Sequence, residues 1–163
     1  MKTILVMRHA KSSWSDPGLA DIDRPLNKRG KQDAPRMGDL LRKEDLIPDL
    51  ILCSPARRAK KTAQAVIEAS GYPGEIEIIP DFYPGDPEIF LDALVSLPDN
   101  IDSVMIVAHN PGLEELVYEL VGESTRLPTS ALAQISLILG TWQDLGDDVQ
   151  GKLDNLWWVK ELG

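Results

Sequence analysis

Lys2-Thr3-Ile4-Leu5-Val6-Met7-Arg8-His9-Ala10-Lys11 is the stretch that decides the fold. Thr3 to Met7 is an apolar, β-branched run of the kind that forms a strand buried on both faces. It stops abruptly at Arg8, His9 and Lys11. A buried strand that ends in cations places them at the carboxyl edge of a sheet, which is where open α/β folds bind ligands. Such a cluster suits an anion, and a histidine among arginines suits a phosphoryl group.

The rest of the chain can be read outward from that edge. At 163 residues it is most simply one domain, spanning 1–163 and long enough for a full hydrophobic core. A hydrophobic share of 43% with 26% charged residues argues against disorder or fibre. Arg8 interrupts the first apolar run too early for a signal peptide. No segment approaches the roughly 18 apolar residues of a membrane span. Cys53 is the sole cysteine, so an internal disulfide is ruled out, which fits a reducing, cytoplasmic setting. The net charge of −9 disfavours nucleic acid and anionic membrane as partners. Against it, the basic residues near Arg8 and Arg58 form a local positive island.

Residues 12–29, rich in Ser, Asp, Pro and charge, read as a long loop, and long loops are often functional. Apolar spacing at Met37, Leu40 and Leu41 predicts a helix over Gly30–Lys43. Asp49–Cys53 reads as a second buried strand. A helix follows to about Ser70, with Ser54 as N-cap and Pro55 in the first helical position. Ile76–Pro80 reads as a strand, Phe82–Asp86 as a turn and Pro87–Leu97 as a helix. Ser103–Ala108 is a fourth buried strand, and Asn110-Pro111 opens a helix to about Val121 in the same manner. Ala131–Leu139 and Leu153–Lys160 read as two strands joined by the Gly- and Asp-rich stretch 140–151. This order predicts an α/β fold: a three-layer, mostly parallel open sheet with helices on both faces. The predicted helices leave no strong apolar stripe exposed, which points to a monomer.

Three apolar strands end alike, in Arg8-His9, in Ser54-Pro55-Ala56-Arg57-Arg58 and in His109-Asn110. In a parallel sheet these ends share one edge, and helix N-termini there add further attraction for an anion. Taken singly, each is more often surface or a turn. Together they are harder to dismiss, because both histidines of the chain sit at predicted strand ends. Other chemistries fit less well. The chain has no G-x-x-x-x-G-K-[ST] and no G-x-G-x-x-G, and two histidines without an adjacent carboxylate or thiol make a poor metal site. A cysteine phosphatase loop needs C-x5-R, but the sixth residue after Cys53 is Ala59, so Cys53 reads as a small core residue.

Arg8-His9-Ala10-Lys11-Ser12 resembles the R-H-G-x-S signature of the histidine phosphatase superfamily, the phosphoglycerate mutase-like fold. Ser54 to Thr62 is similar to its S-x-x-x-R-A-x-x-T element, which selects Arg58 over Arg57. Ala108-His109-Asn110 resembles the second-histidine element, and Pro25 to Gln32 matches the P-L-T-x-x-G-x-x-Q opening of the first helix. The short length, Thr129-Ser130-Ala131 and Pro84-Gly85-Asp86 look like the SixA-type phosphohistidine phosphatases. Two departures stand out. Ala10 replaces a glycine, which is tolerable if φ there is negative. The stretch Asp81 to Asp86 lacks the glutamate that larger members carry as a general acid.

The resemblance implies a nucleophilic His9 that forms a phosphohistidine, with Arg8, Arg58 and His109 around the phosphoryl oxygens and Ser12 as a further donor. It implies no metal and no other cofactor. Asp81 and Asp86 are the candidate acids. The 13–29 loop, with Trp14 and Arg24, is a candidate wall of the mouth, although a tryptophan is more often core. A missing acid favours a phosphohistidine-containing protein as substrate, since an imidazole can be protonated before it leaves and an alkoxide cannot. The alternatives are a phosphatase for small phosphomonoesters, with Asp81 or Asp86 as acid, and a non-catalytic phosphate- or phosphoprotein-binding domain.

Overall fold

Ile4 and Val6 point to one face of the sheet while Leu5 and Met7 point to the other, and all four are essentially buried. A strand with no polar face needs cover on both sides. The computed structural model, which describes residues 1–146 and 151–162, supplies that cover. The elements run β1 (Lys2–Arg8), α1 (Lys28–Lys43), β2 (Leu50–Cys53), α2 (Arg57–Ser70), β3 (Ile76–Ile78), α3 (Pro87–Val95), β4 (Ser103–Ala108), α4 (Gly112–Val121), β5 (Leu132–Leu137) and β6 (Lys152–Trp157).

The sheet order is β3-β2-β4-β1-β5-β6. β1 to β4 are parallel, with Thr3 opposite Ser103 and Arg8 opposite Ala108. β5 and β6 are antiparallel additions at the other edge. One face carries α1 and α2, whose Met37, Leu41, Ala63 and Val66 pack on Leu5, Met7 and Met105. The other carries α3 and α4, whose Phe90, Leu94, Leu113 and Leu116 pack on Ile4, Val6 and Ile106. The three-layer α/β reading is therefore the observed architecture, in a mixed sheet.

Two predicted helix starts are corrected. α2 begins at Arg57, its N-cap is Ala56, and Ser54 is not its cap. The Ser54 backbone N–H still bonds Val107 O across to β4, which keeps that residue in extended geometry. α4 begins at Gly112 with Pro111 as its N-cap residue, and Asn110 does not cap it: its side-chain N–H2 donates to Leu127 O and its Oδ1 has no partner. By contrast α1 starts earlier than predicted, at Lys28, because the Asn27 carboxamide accepts the Gly30 N–H at 2.8 Å. The third strand stops at Ile78, and Pro80–Phe82 is a short 3-10 turn. The third helix ends at Val95 and the last two strands are shorter than predicted. The stretch 140–151 lies partly outside the described residues. Within the predicted 12–29 loop, a 3-10 turn at Asp21–Asp23 and a bridge between Ser12 and Leu26 give local order.

Candidate active site

β1, β2 and β4 lie side by side, so Arg8, Ser54 and His109 emerge at neighbouring points of the sheet's carboxyl edge. The backbone around His9 is pinned twice: its N–H bonds Ala108 O and its carbonyl accepts from Ser130 N, both at 3.1 Å. Thr62 then ties α2 to this turn. Its hydroxyl accepts the Ala10 N–H at 2.9 Å and donates to Arg58 O at 2.7 Å. This explains the threonine of the S-x-x-x-R-A-x-x-T element, which sits one helical turn after the arginine. Ala10 is not among the positive-φ residues, so the alanine fits where a glycine is usual.

Arg8, His9, Arg58 and His109 come together as expected. The two imidazole centroids are 5.0 Å apart. His9, Arg58 and His109 are buried and Arg8 half-buried. His9 Nδ1–H donates to Ala10 O at 2.7 Å, which leaves Nε2 with its lone pair. Burial pushes the His9 pKa down to about 3, and His109, Arg58 and Arg8 push in the same direction. His109 is pushed down to about 4, again chiefly by burial and then by Arg58. Both rings are therefore neutral at neutral pH. His109 Nε2 pairs with Ser54 Oγ at 2.7 Å, while its Nδ1 is buried without a partner. Arg8 Nη1 donates to Leu127 O, and the Nε atoms of Arg8 and Arg58 are buried and unpartnered. Buried donors without acceptors need an explanation, and a ligand oxyanion would supply their acceptors.

Other placements differ from expectation. Trp14 is 76% exposed, with the Arg24 guanidinium 3.5 Å above its ring, so it is not core. Arg24 is buried and donates to Ser12 Oγ, Ser13 O and Asp21 Oδ1, which fixes the 13–29 loop against the site. Asp81 is exposed and lines a groove with Leu50, Glu77 and Ile89 that contains none of the four site residues. Asp86 is the N-cap residue of α3 and makes no side-chain capping bond. Neither is hydrogen-bonded to the site.

The carboxylate the structure brings in instead is Asp21. It accepts from Arg58 Nη2 at 3.0 Å, Arg24 Nε at 2.9 Å and Tyr83 Oη at 2.5 Å. These donors, Tyr83 foremost, hold its pKa well below the usual carboxylate range. Tyr83 also stands edge-on to His109, at 5.6 Å between ring centroids. Sequence reasoning missed Asp21, Tyr83, Thr62 and the site role of Ser54. For Thr62 and Ser54 the S-x-x-x-R-A-x-x-T spacing held a signal, whereas Asp21 and Tyr83 lie on loops without one. Cys53 is fully buried with its thiol pushed up to about 12, an inert core group. Among the described residues, no group of three or more His, Cys, Asp or Glu side chains could hold a metal ion. No described helix is long and apolar enough to cross a membrane.

Comparison with known proteins agrees with this geometry. Residues 4–83 match the histidine phosphatase superfamily (branch 1). An uncharacterized chloroplastic protein of Arabidopsis thaliana is 33% identical over 153 residues, covering 88% of this chain and 70% of that one. Phosphohistidine phosphatase SixA of Escherichia coli is 29% identical over 140 residues, covering 82% and 84%. A structure of the protein histidine phosphatase SixA complexed with tungstate superposes with a TM-score of 0.85 at 25% identity, covering 99% of both chains. The chain belongs to the histidine phosphatase superfamily, and its structure is that of a SixA-like phosphatase.

Proposed function

We propose that this phosphatase removes the phosphoryl group from phosphohistidine on a partner protein, through a covalent phospho-His9 intermediate. The observation that carries the reading is the state of His9: buried, neutral, and committed through Nδ1–H to Ala10 O, so that Nε2 is free to attack. Nε2 attacks phosphorus in line, and the substrate's P–N bond breaks as the new P–N bond forms. The leaving imidazole takes its proton from solvent. Water then attacks phosphorus, loses its proton to solvent, and frees His9 and inorganic phosphate.

Arg8, Arg58 and His109 stabilise the charge on the equatorial oxygens, using donors the protein itself leaves unpaired. Ser12 accepts from Arg24, so its own O–H remains to donate. The positive charge for this step comes from the chain's own guanidinium groups.

The preference for P–N over P–O bonds rests on acidity. An alkoxide needs a positioned acid. Asp21, the carboxylate at the site, is held ionised by Tyr83, Arg24 and Arg58 and cannot supply a proton at neutral pH. Asp81 and Asp86 have no hydrogen bond to the site. The likeness to phosphohistidine phosphatase SixA of Escherichia coli supports the same choice, and the tungstate in the SixA complex that this chain superposes on is a tetrahedral oxyanion like phosphate.

The test is a side-by-side assay, with EDTA present, of a phosphohistidine-carrying protein and an alkyl phosphomonoester such as phosphoserine, whose alkoxide leaving group needs an acid, against His9→Ala. Rapid loss of phosphohistidine that outpaces ester cleavage and vanishes in the variant is the expected result. Equal or faster ester cleavage sinks the P–N preference. Phosphate binding without any His9-dependent turnover sinks catalysis on these substrates.

A further inference from the structure

Ser54 is fully buried at the end of β2, and its hydroxyl has two partners. One is the Ala56 backbone N–H, which can only donate, at 3.2 Å. The other is His109 Nε2, at 2.7 Å. The hydroxyl hydrogen needs an acceptor, because a buried O–H left unpaired costs free energy. Among the described residues, His109 Nε2 is the acceptor within reach. The accounting therefore closes one way: Ser54 O–H donates to Nε2, and the ring's own hydrogen sits on Nδ1. That Nδ1 is the His109 atom buried without a partner, on a ring packed 5.0 Å from His9.

We propose that Ser54 is a positioning residue, whose hydroxyl holds His109 as the Nδ1–H tautomer so that the ring offers a hydrogen bond to the phosphoryl group. This rests on the phosphate-site reading above. The opposite tautomer would turn an acceptor lone pair towards an anion and repel it. His9 and His109 thus carry their hydrogens on the same nitrogen, to opposite ends. In His9 the N–H is spent on Ala10 O and the lone pair faces the substrate. In His109 the lone pair is spent on Ser54 and the N–H faces the substrate. The Ser54 backbone is itself anchored, through its N–H, to Val107 O, two residues before His109, so the pair is set by strand register.

The chain has two histidines, so its imidazole nitrogen spectrum contains two rings. Long-range 1H–15N correlation at neutral pH in phosphate-free buffer reports which nitrogen of each carries hydrogen, and His109→Ala assigns the rings. The wild type is expected to show His109 protonated at Nδ1 and bare at Nε2. Ser54→Ala is expected to lose that preference in favour of Nε2–H. Ser54→Thr, which keeps a hydroxyl, is expected to retain it. In parallel, kcat should fall at least about 10-fold in Ser54→Ala, up to the roughly 100- to 1000-fold of a lost donor, and recover in Ser54→Thr. A wild-type His109 protonated at Nε2 overturns the proposal. So does an unchanged tautomer in Ser54→Ala, whatever happens to the rate. The tautomer is read without substrate: a wild type in the Nδ1–H form but inactive on phosphohistidine counts against the proposed function and not against the role of Ser54.

Discussion

Arg58 gives both of its terminal nitrogens to a single residue, Asp21: Nη1 to the backbone carbonyl at 2.7 Å and Nη2 to the carboxylate at 3.0 Å. The guanidinium is thereby fixed in orientation with a carboxylate already against it. On the proposed function, an incoming phosphoryl group meets a positioned cation and a competing anion at once. Asp21→Asn separates the two effects, because it keeps the backbone contact and the side-chain shape while removing the charge. Phosphate should then inhibit more tightly. The Asp21 side chain is 46% exposed, so screening limits the gain to about 1 kcal/mol, roughly 5-fold in Ki. A weaker Ki in the variant would mean that Asp21 acts by orienting Arg58 and not by opposing the ligand.

Arg58→Ala removes a fixed cation whose Nε is buried and unpartnered. The expected loss in kcat is on the order of 100- to 1000-fold. Arg58→Lys should recover only part of it, since an ammonium cannot bond both Asp21 oxygens and still present a donor in the same plane. Full activity in Arg58→Lys would show that charge alone matters here.

The strand ends were legible because β1, β2 and β4 are buried on both faces and so read as unbroken apolar runs with abrupt polar stops. The same logic misled at the helix starts. Ser54-Pro55 and Asn110-Pro111 have the composition of N-caps, but tertiary contacts orient both side chains: Ser54 Oγ pairs with His109, and Asn110 is turned by its amide N–H2 donating to Leu127 O, with its Oδ1 left without a partner. A local rule cannot see a competitor that is distant in sequence. Asp21 and Tyr83 were illegible for a related reason. They lie 62 positions apart, on segments without periodicity, and meet only once the loop folds over the site. For Trp14 the general preference of its type for burial does not hold, because it stacks on Arg24 at the surface of the loop. The candidate acids Asp81 and Asp86 came from proximity in sequence to the glutamate's usual place, and neither is hydrogen-bonded to the site residues.

Gly30 tests how the loop is held over the site. A Cβ there would collide with the carbonyl oxygen of Lys11, two residues after His9. α1 thus packs its first turn directly on the backbone that carries His9, and the Asn27 N–H bonds the same carbonyl at 3.0 Å. Both groups are backbone, so neither can move aside cheaply. Gly30→Ala should destabilise the protein by about 1–3 kcal/mol in urea unfolding and lower kcat as well. A neutral effect on both would mean that α1 can shift without disturbing His9.

Stability should fall on mild acidification, and the histidines give the sign. His9 and His109 have folded pKa values of about 3 and about 4, against 6.5 for an ordinary histidine. The unfolded chain therefore binds protons that the native state refuses. The stabilisation is complete above about pH 6.5 and is lost as the pH falls towards the folded values, at up to about 1.4 kcal/mol per pH unit for each ring. Asp21 acts in the same direction, because its folded pKa is also depressed, but only below its ordinary value of 3.8. The window between about pH 6 and about pH 4.5 thus isolates the histidines. Urea unfolding across it should show a slope that flattens in His9→Ala and again in His109→Ala, each by as much as one ring's share. Variants whose slopes run parallel to the wild type would mean that the rings take up protons in the folded protein, and a histidine so charged could not be the attacking base at the acid end of the range.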